Sequence, residues 1–144
     1  MKIVFLCFVI VAGVVAVVAN STQSEATAAR VPLDNYIQGH ATGNGDFMRK
    51  AFHSEAKVMA FRDGKMMNMT SEEFASRFTG KPAPDEAQRK RRIESVEITG
   101  NAGVGKIVLE YPTVTYTDYM SLLKVDGEWK IVNKVFYAEA KAKP

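Results

Sequence analysis

Apolar and polar residues alternate along two runs, Tyr116–Val125 and Glu128–Tyr137, separated only by Asp126-Gly127. Alternation with period two predicts strands. Asp-Gly between two such strands predicts a tight hairpin, because a type I′ turn needs positive φ at both central residues. A regular ladder across that turn pairs Leu122 with Ile131, Met120 with Asn133 and Asp118 with Val135. Tyr116, Asp118, Met120, Leu122, Trp129, Ile131, Asn133, Val135 and Tyr137 would then share one mainly apolar face. Tyr119, Leu123, Val125, Val132 and Phe136 would share the other.

The same reading predicts strands over 89–99, 103–111 and 113–125, with Gly100-Asn101 and Pro112 as breaks. Within the first, Ile93 falls on one alternation and Val96 and Ile98 on the other, which predicts a bulge near Glu94-Ser95. Further upstream the period becomes helical. Leu33, Tyr36, Ile37, His40 and Ala41 recur on one stripe after Pro32, a residue suited to a first helical turn. Asp46 is positioned to cap a short second helix ending at Phe52. Val58–Phe61, the turn Arg62-Asp63-Gly64-Lys65 and Met66–Asn68 form a smaller hairpin. Thr70 with Glu73 makes a capping box for a third helix that carries Phe74 and Phe78 and stops at Gly80. Helices first and a curved antiparallel sheet last define an α+β fold in which three helices pack on the concave face of a cone.

Met1-Lys2, the unbroken apolar run Ile3–Val18 and the small residue Ala19 form a secretory signal at 1–19, which places the protein outside the cytoplasm or in a periplasm. Membrane attachment follows only if that segment stays uncleaved. Residues 20–30 are small and polar and are expected to be a disordered tether. A single domain then occupies 31–138, with a polar tail at 139–144. Cleavage removes Cys7, the one cysteine, so no disulfide supports the exported fold. With 19 basic against 16 acidic residues, the chain lacks the charge excess of a nucleic-acid partner. The run Arg89–Arg92 alternates across a strand and so forms no single patch.

Several motifs resemble the nuclear-transport-factor-2-like superfamily, and within it the group labelled putative lumazine-binding proteins: Tyr36-Ile37-Gln38-Gly39-His40, Phe52-His53-Ser54-Glu55-Ala56, Arg62-Asp63-Gly64, Gly100-Asn101-Ala102 and Asp126 through Lys134. The resemblance covers most of the chain beyond the signal. It implies a cone-shaped α+β domain with a pocket between helices and sheet, and a homodimer, for which the half-apolar outer sheet face is the candidate surface. It does not imply one activity, because the superfamily includes isomerases, dehydratases and cyclases beside members that only bind or assemble.

Candidate chemistry centres on Asp118, a carboxylate on the apolar face and therefore a candidate general base. His40 and His53 are the candidate proton shuttles. Tyr36, Met120, Trp129 and Asn133 are the expected ligand-binding residues. The two histidines lack ligand spacing for a metal, the Met66-Met67-Asn68-Met69 run reads as gap-filling or pocket wall, and no cofactor is expected. The leading expectation is an exported protein that binds a small apolar or aromatic molecule. The alternatives are a cofactor-independent isomerase or lyase working by proton transfer, and a dimeric interaction module.

Overall fold

A computed structural model describes residues 6–142, with side chains described from residue 23. Three helices, α1 (Leu6–Thr42), α2 (Gly45–Ala51) and α3 (Ser71–Ala75), accompany six strands: β1 (Phe52–Arg62), β2 (Lys65–Thr70), β3 (Lys90–Thr99), β4 (Ala102–Glu110), β5 (Val114–Val125) and β6 (Glu128–Ala140). The strands form one curved, unclosed sheet in the order β2-β1-β6-β5-β4-β3. The α+β cone expected from the sequence is present, with one refinement. The pairing of β1 with β6 is parallel, which makes the sheet mixed.

Local signals account for most elements. Asp126 and Gly127 have φ of 51° and 85°, and Asp63 and Gly64 repeat the pattern at 51° and 72°, so two Asp-Gly turns close two hairpins. At α3, Thr70 and Glu73 bond reciprocally, with Glu73 N donating to Thr70 Oγ1 and Thr70 N to Glu73 Oε2. The helix stops at Ala75, short of Gly80, yet Phe74 and Phe78 still meet at 5.4 Å between ring centres. Asn44, two residues before the expected Asp46, caps α2 by accepting from Asp46 N. The bulge in β3 lies where the phase of the apolar residues breaks, between Ile93 and Ser95.

Two boundaries differ from expectation. Helix α1 runs continuously through Ser21–Arg30, where the sequence reads as a tether, and Pro32 lies inside it. Small residues give no apolar period there, but Ala29 is fully buried. Glu25 is held on the sheet by Lys124 Nζ at 2.7 Å and Trp129 Nε1 at 3.1 Å. The side chains of residues 1–22, where the sequence reads as a signal, lie outside the described residues. At the other end β6 reaches Ala140, because Ala138 and Ala140 still pair with Tyr116 and Val114.

The core fills the concave side. Leu33, Tyr36, Met48, Ile107, Leu109, Met120, Leu122 and Ile131 are buried to 2% exposure or less. Gly105 on β4 lies directly under α1: a Cβ there would stand 2.7 Å from Leu33 Cδ1. A side chain at that position would force Leu33 to shift.

Candidate functional site

The site depends on a second bulge. Leu122 pairs with Ile131 as a regular hairpin requires, but Ser121 pairs with Asn133, so Val132 is the extra residue on β6. Beyond it the register moves by one: Met120 faces Lys134 and Asp118 faces Phe136. This corrects the regular ladder, which placed Asn133, Val135 and Tyr137 inside and Phe136 outside. Val135 and Tyr137 are instead exposed, and Lys134 and Phe136 turn inward. A bulge of this kind re-aims every side chain after it.

The inward turn completes a buried polar array. Lys134 Nζ donates to Tyr36 Oη at 2.5 Å, and Tyr36 Oη donates to Asp118 Oδ2 at 2.6 Å. Lys134 Nζ also stands 3.2 Å from Asp118 Oδ1, an ion-pair distance without hydrogen-bond geometry. Asp118 and Tyr36 are fully buried and Lys134 is 4% exposed. Three rings surround the ammonium, with centres 4.6 Å (Phe136), 4.9 Å (Tyr36) and 5.0 Å (Phe74) away. Their electron-rich faces favour a cation there. Burial lowers the Lys134 ammonium below the usual lysine range, while Asp118 pulls it back up. Burial, reinforced by Asp118, raises the Tyr36 phenol well above 10 and keeps its proton on.

His40, one turn after Tyr36 on α1, packs edge-on against the Tyr36 ring at 4.6 Å. Its Nδ1 shares a hydrogen bond of 3.2 Å with Tyr111 Oη, and its buried Nε2 has no partner. Burial, with the cations Lys134, Arg91 and Arg89 nearby, pushes the imidazole well below 6.5, so it is neutral at physiological pH. The unfolded chain takes up a proton near 6.5 that the folded protein refuses, so stability falls as pH drops through that value. Between pH 7.5 and 5.5 the expected loss is about 1.4 kcal/mol. The lowered carboxyls of Glu25, Glu72, Glu73 and Glu94 act only below about 4.5 and leave this window clear. Urea unfolding at the two pH values measures the slope, and His40→Gln should flatten it. Equal slopes in both proteins would mean that the folded protein protonates His40.

These groups meet at a cavity of about 300 Å³ between α1, α3 and the sheet. Aromatic rings make much of its wall: Tyr36, Phe74, Tyr111, Tyr116 and Phe136. Met67 and Met69 of β2 add flexible apolar surface. The charged groups that line it are Arg62, Arg77, Arg89 and Lys134, and among the described residues no carboxylate does.

The structure therefore brings together three of the residues singled out in the sequence, Asp118, Tyr36 and His40, and adds Lys134 and Tyr111. Met120 is buried in the core beside them without lining the cavity. Trp129, whose indole is anchored to Glu25, lines a separate depression under α1, and Asn133 pairs with Ser121 on the outer side of the bulge. His53 lines another hollow with Leu123, Val125 and Val132, and its Nδ1 accepts from Glu55 N at 3.3 Å. Outward alternation from the buried Phe52 takes it away from the cone. Among the described residues no group of His, Cys, Asp and Glu has the arrangement of a metal site.

A family model described as Putative lumazine-binding matches residues 24–137. The chain belongs to the putative lumazine-binding family. Members of the wider nuclear-transport-factor-2-like superfamily superpose on it. A protein of unknown function from Shewanella baltica OS155 does so with a TM-score of 0.73 at 25% identity, covering 82% of this chain and 96% of that one. Another, from Methylobacillus flagellatus KT, gives 0.69 at 26% identity over 81% and 94%. By sequence, Aldolase FrzH from a Cladobotryum species is 23% identical over 119 residues, 81% of this chain and 94% of that protein.

Proposed function

We propose that the protein is an exported small-molecule-binding domain whose cone takes a planar carbonyl compound, with the carbonyl oxygen seated on Lys134. The observation that carries this reading is an ammonium buried under three aromatic rings at a cavity edge, with Tyr36 and Asp118 fixing its position. One of its donors is committed to Tyr36 Oη while Asp118 Oδ1 balances its charge from 3.2 Å, so a ligand oxygen can accept from another. The family's description names lumazine, a planar heterocycle with carbonyl groups. The walls suit that chemistry without selecting it over other planar carbonyl compounds.

A thermal-shift screen of planar ketones, flavins, pterins and enones tests the reading. A matching ligand should raise the melting temperature of the wild type and do so much less for Lys134→Met. A screen in which no carbonyl compound shifts either protein would sink it.

Turnover is the second reading, favoured by the neutral His40 whose Nε2 is unpartnered close to the array. A base next to a cation that stabilises an enolate oxygen is the minimum apparatus for moving a proton α to a carbonyl. The distant likeness to a protein named an aldolase belongs to the same chemistry. Export and dimerisation complete the proposal. Tyr119, Val104, Val135, Tyr137 and Phe61, all exposed, supply an apolar outer face for a second copy. N-terminal sequencing beginning at Asn20 tests the first, and sedimentation as a monomer would count against the second.

A further inference from the structure

We propose that the ligand of this cavity carries an anionic group, a carboxylate or a phosphate, which Arg62 and Arg77 hold at the mouth while its oxygen-bearing ring reaches Lys134. This deepens the binding reading and rests on it. Arg62 closes β1 beside the Asp63-Gly64 turn and Arg77 follows α3, so two separate elements each send a guanidinium to the cavity. Both residues are exposed, which puts them on its open side.

Among the three arginines of the cavity wall they are the two without a carboxylate partner. Arg49, Arg91 and Arg92 are each committed to carboxylates. Arg89, the third arginine of the wall, is tied to Asp85 at 2.8 Å and stacked 4.1 Å over the Tyr111 ring. Among the described residues Arg62 and Arg77 make no ion pair, a state they share with Arg30 of α1, which does not line the cavity. Of the four cations that line the cavity, Lys134 is neutralised by Asp118 and Arg89 by Asp85, which leaves Arg62 and Arg77 to make the field at the mouth positive. Such a field attracts an anion, and a guanidinium fork matches the two oxygens of a carboxylate or phosphate. Neutral ligands would leave it unused.

The test uses matched pairs of planar ketones: 4-acetylbenzoate against its methyl ester, and 4-acetylphenyl phosphate against 4-methoxyacetophenone. Calorimetry at low salt measures them on wild type, Arg62→Gln/Arg77→Gln and Lys134→Met. Wild type should bind the anionic member about tenfold tighter, as two exposed charge-assisted contacts provide. The preference should shrink with added salt and vanish in the double arginine variant. Equal affinity for both members, with both weakened by Lys134→Met, would overturn the anion proposal and leave the carbonyl reading standing. A preference that survives loss of both arginines would also overturn it. Binding of neither member, on a correctly melting wild type, would bring down the carbonyl reading and this inference with it. The phosphate pair against the carboxylate pair shows which anion the mouth prefers.

Discussion

Asp118→Ala should cost about 3–5 kcal/mol of stability, the largest single-residue loss expected in this protein. The mutation removes the partner that holds the buried Lys134 ammonium at 3.2 Å and the acceptor of the Tyr36 hydroxyl at 2.6 Å. What is left is a cation taken out of water with only a phenol oxygen and three ring faces around it. Lys134→Met should also destabilise, because it strands the carboxylate. Changing both, as Asp118→Asn/Lys134→Met, removes the buried charge together with its partner and keeps the volume, so the loss should be much smaller than the sum of the singles. Urea unfolding of wild type, Asp118→Asn, Lys134→Met and the double variant gives the coupling directly. Additive losses would mean that the pair is not one unit.

The cycle matters for function because a buried ion pair is a costly way to stabilise a fold. Apolar residues of the same volume would serve stability as well or better. A domain that keeps Tyr36 and Lys134 at the wall of a cavity, backed by the buried Asp118, and leaves His40 Nε2 there without a partner holds polar capacity that the fold itself does not use. A ligand oxygen or an exchanging proton would use it.

How much of this was legible in the chain depends on where the period of the pattern breaks. The two Asp-Gly turns, the Thr70–Glu73 box and the β3 bulge were readable because each leaves a local mark: a positive-φ pair, a capping pair, or an apolar phase change from Ile93 to Val96 and Ile98. The β6 bulge leaves no such mark. After Ile131 both alternations contain one polar and at least one apolar residue, Asn133 with Val135 and Tyr137 on one, Lys134 with Phe136 on the other. Either set could have faced the core. The choice is made by contacts distant in sequence, since Lys134 finds Asp118 and Tyr36 across 16 and 98 positions. A lysine beside Phe136 reads as solvated surface until its partners are known. The docking of Ser21–Arg30 was hidden for the opposite reason: its grip on the sheet rests on one acid, Glu25, and on alanines too small to show a period. Asp118 and Tyr36 could be found because they belong to the half of the hairpin and the helical stripe that lie outside the slip.

The double variant Asp118→Asn/Lys134→Met, once shown to fold, should lower the rate of ligand α-proton exchange by roughly 10²–10³-fold, the usual effect of removing one donor to a developing oxyanion. The measurement is deuterium incorporation by NMR into a planar ketone that binds the wild type. In the catalytic reading Lys134 acts on the oxygen and His40 on the proton, so His40→Gln should slow exchange while leaving the affinity for the ketone nearly intact. The pH profile separates these roles. Acid should reduce exchange only well below pH 6.5, where the buried imidazole finally accepts a proton and ceases to be a base. Alkali should reduce it before pH 10.5, because burial lowers the pH at which the Lys134 ammonium loses its charge. Exchange no faster in wild type than in buffer, with ligand bound, would remove the catalytic reading and leave a binding protein. In that case the same array would act through affinity alone, and Lys134→Met would change the dissociation constant without any rate to change.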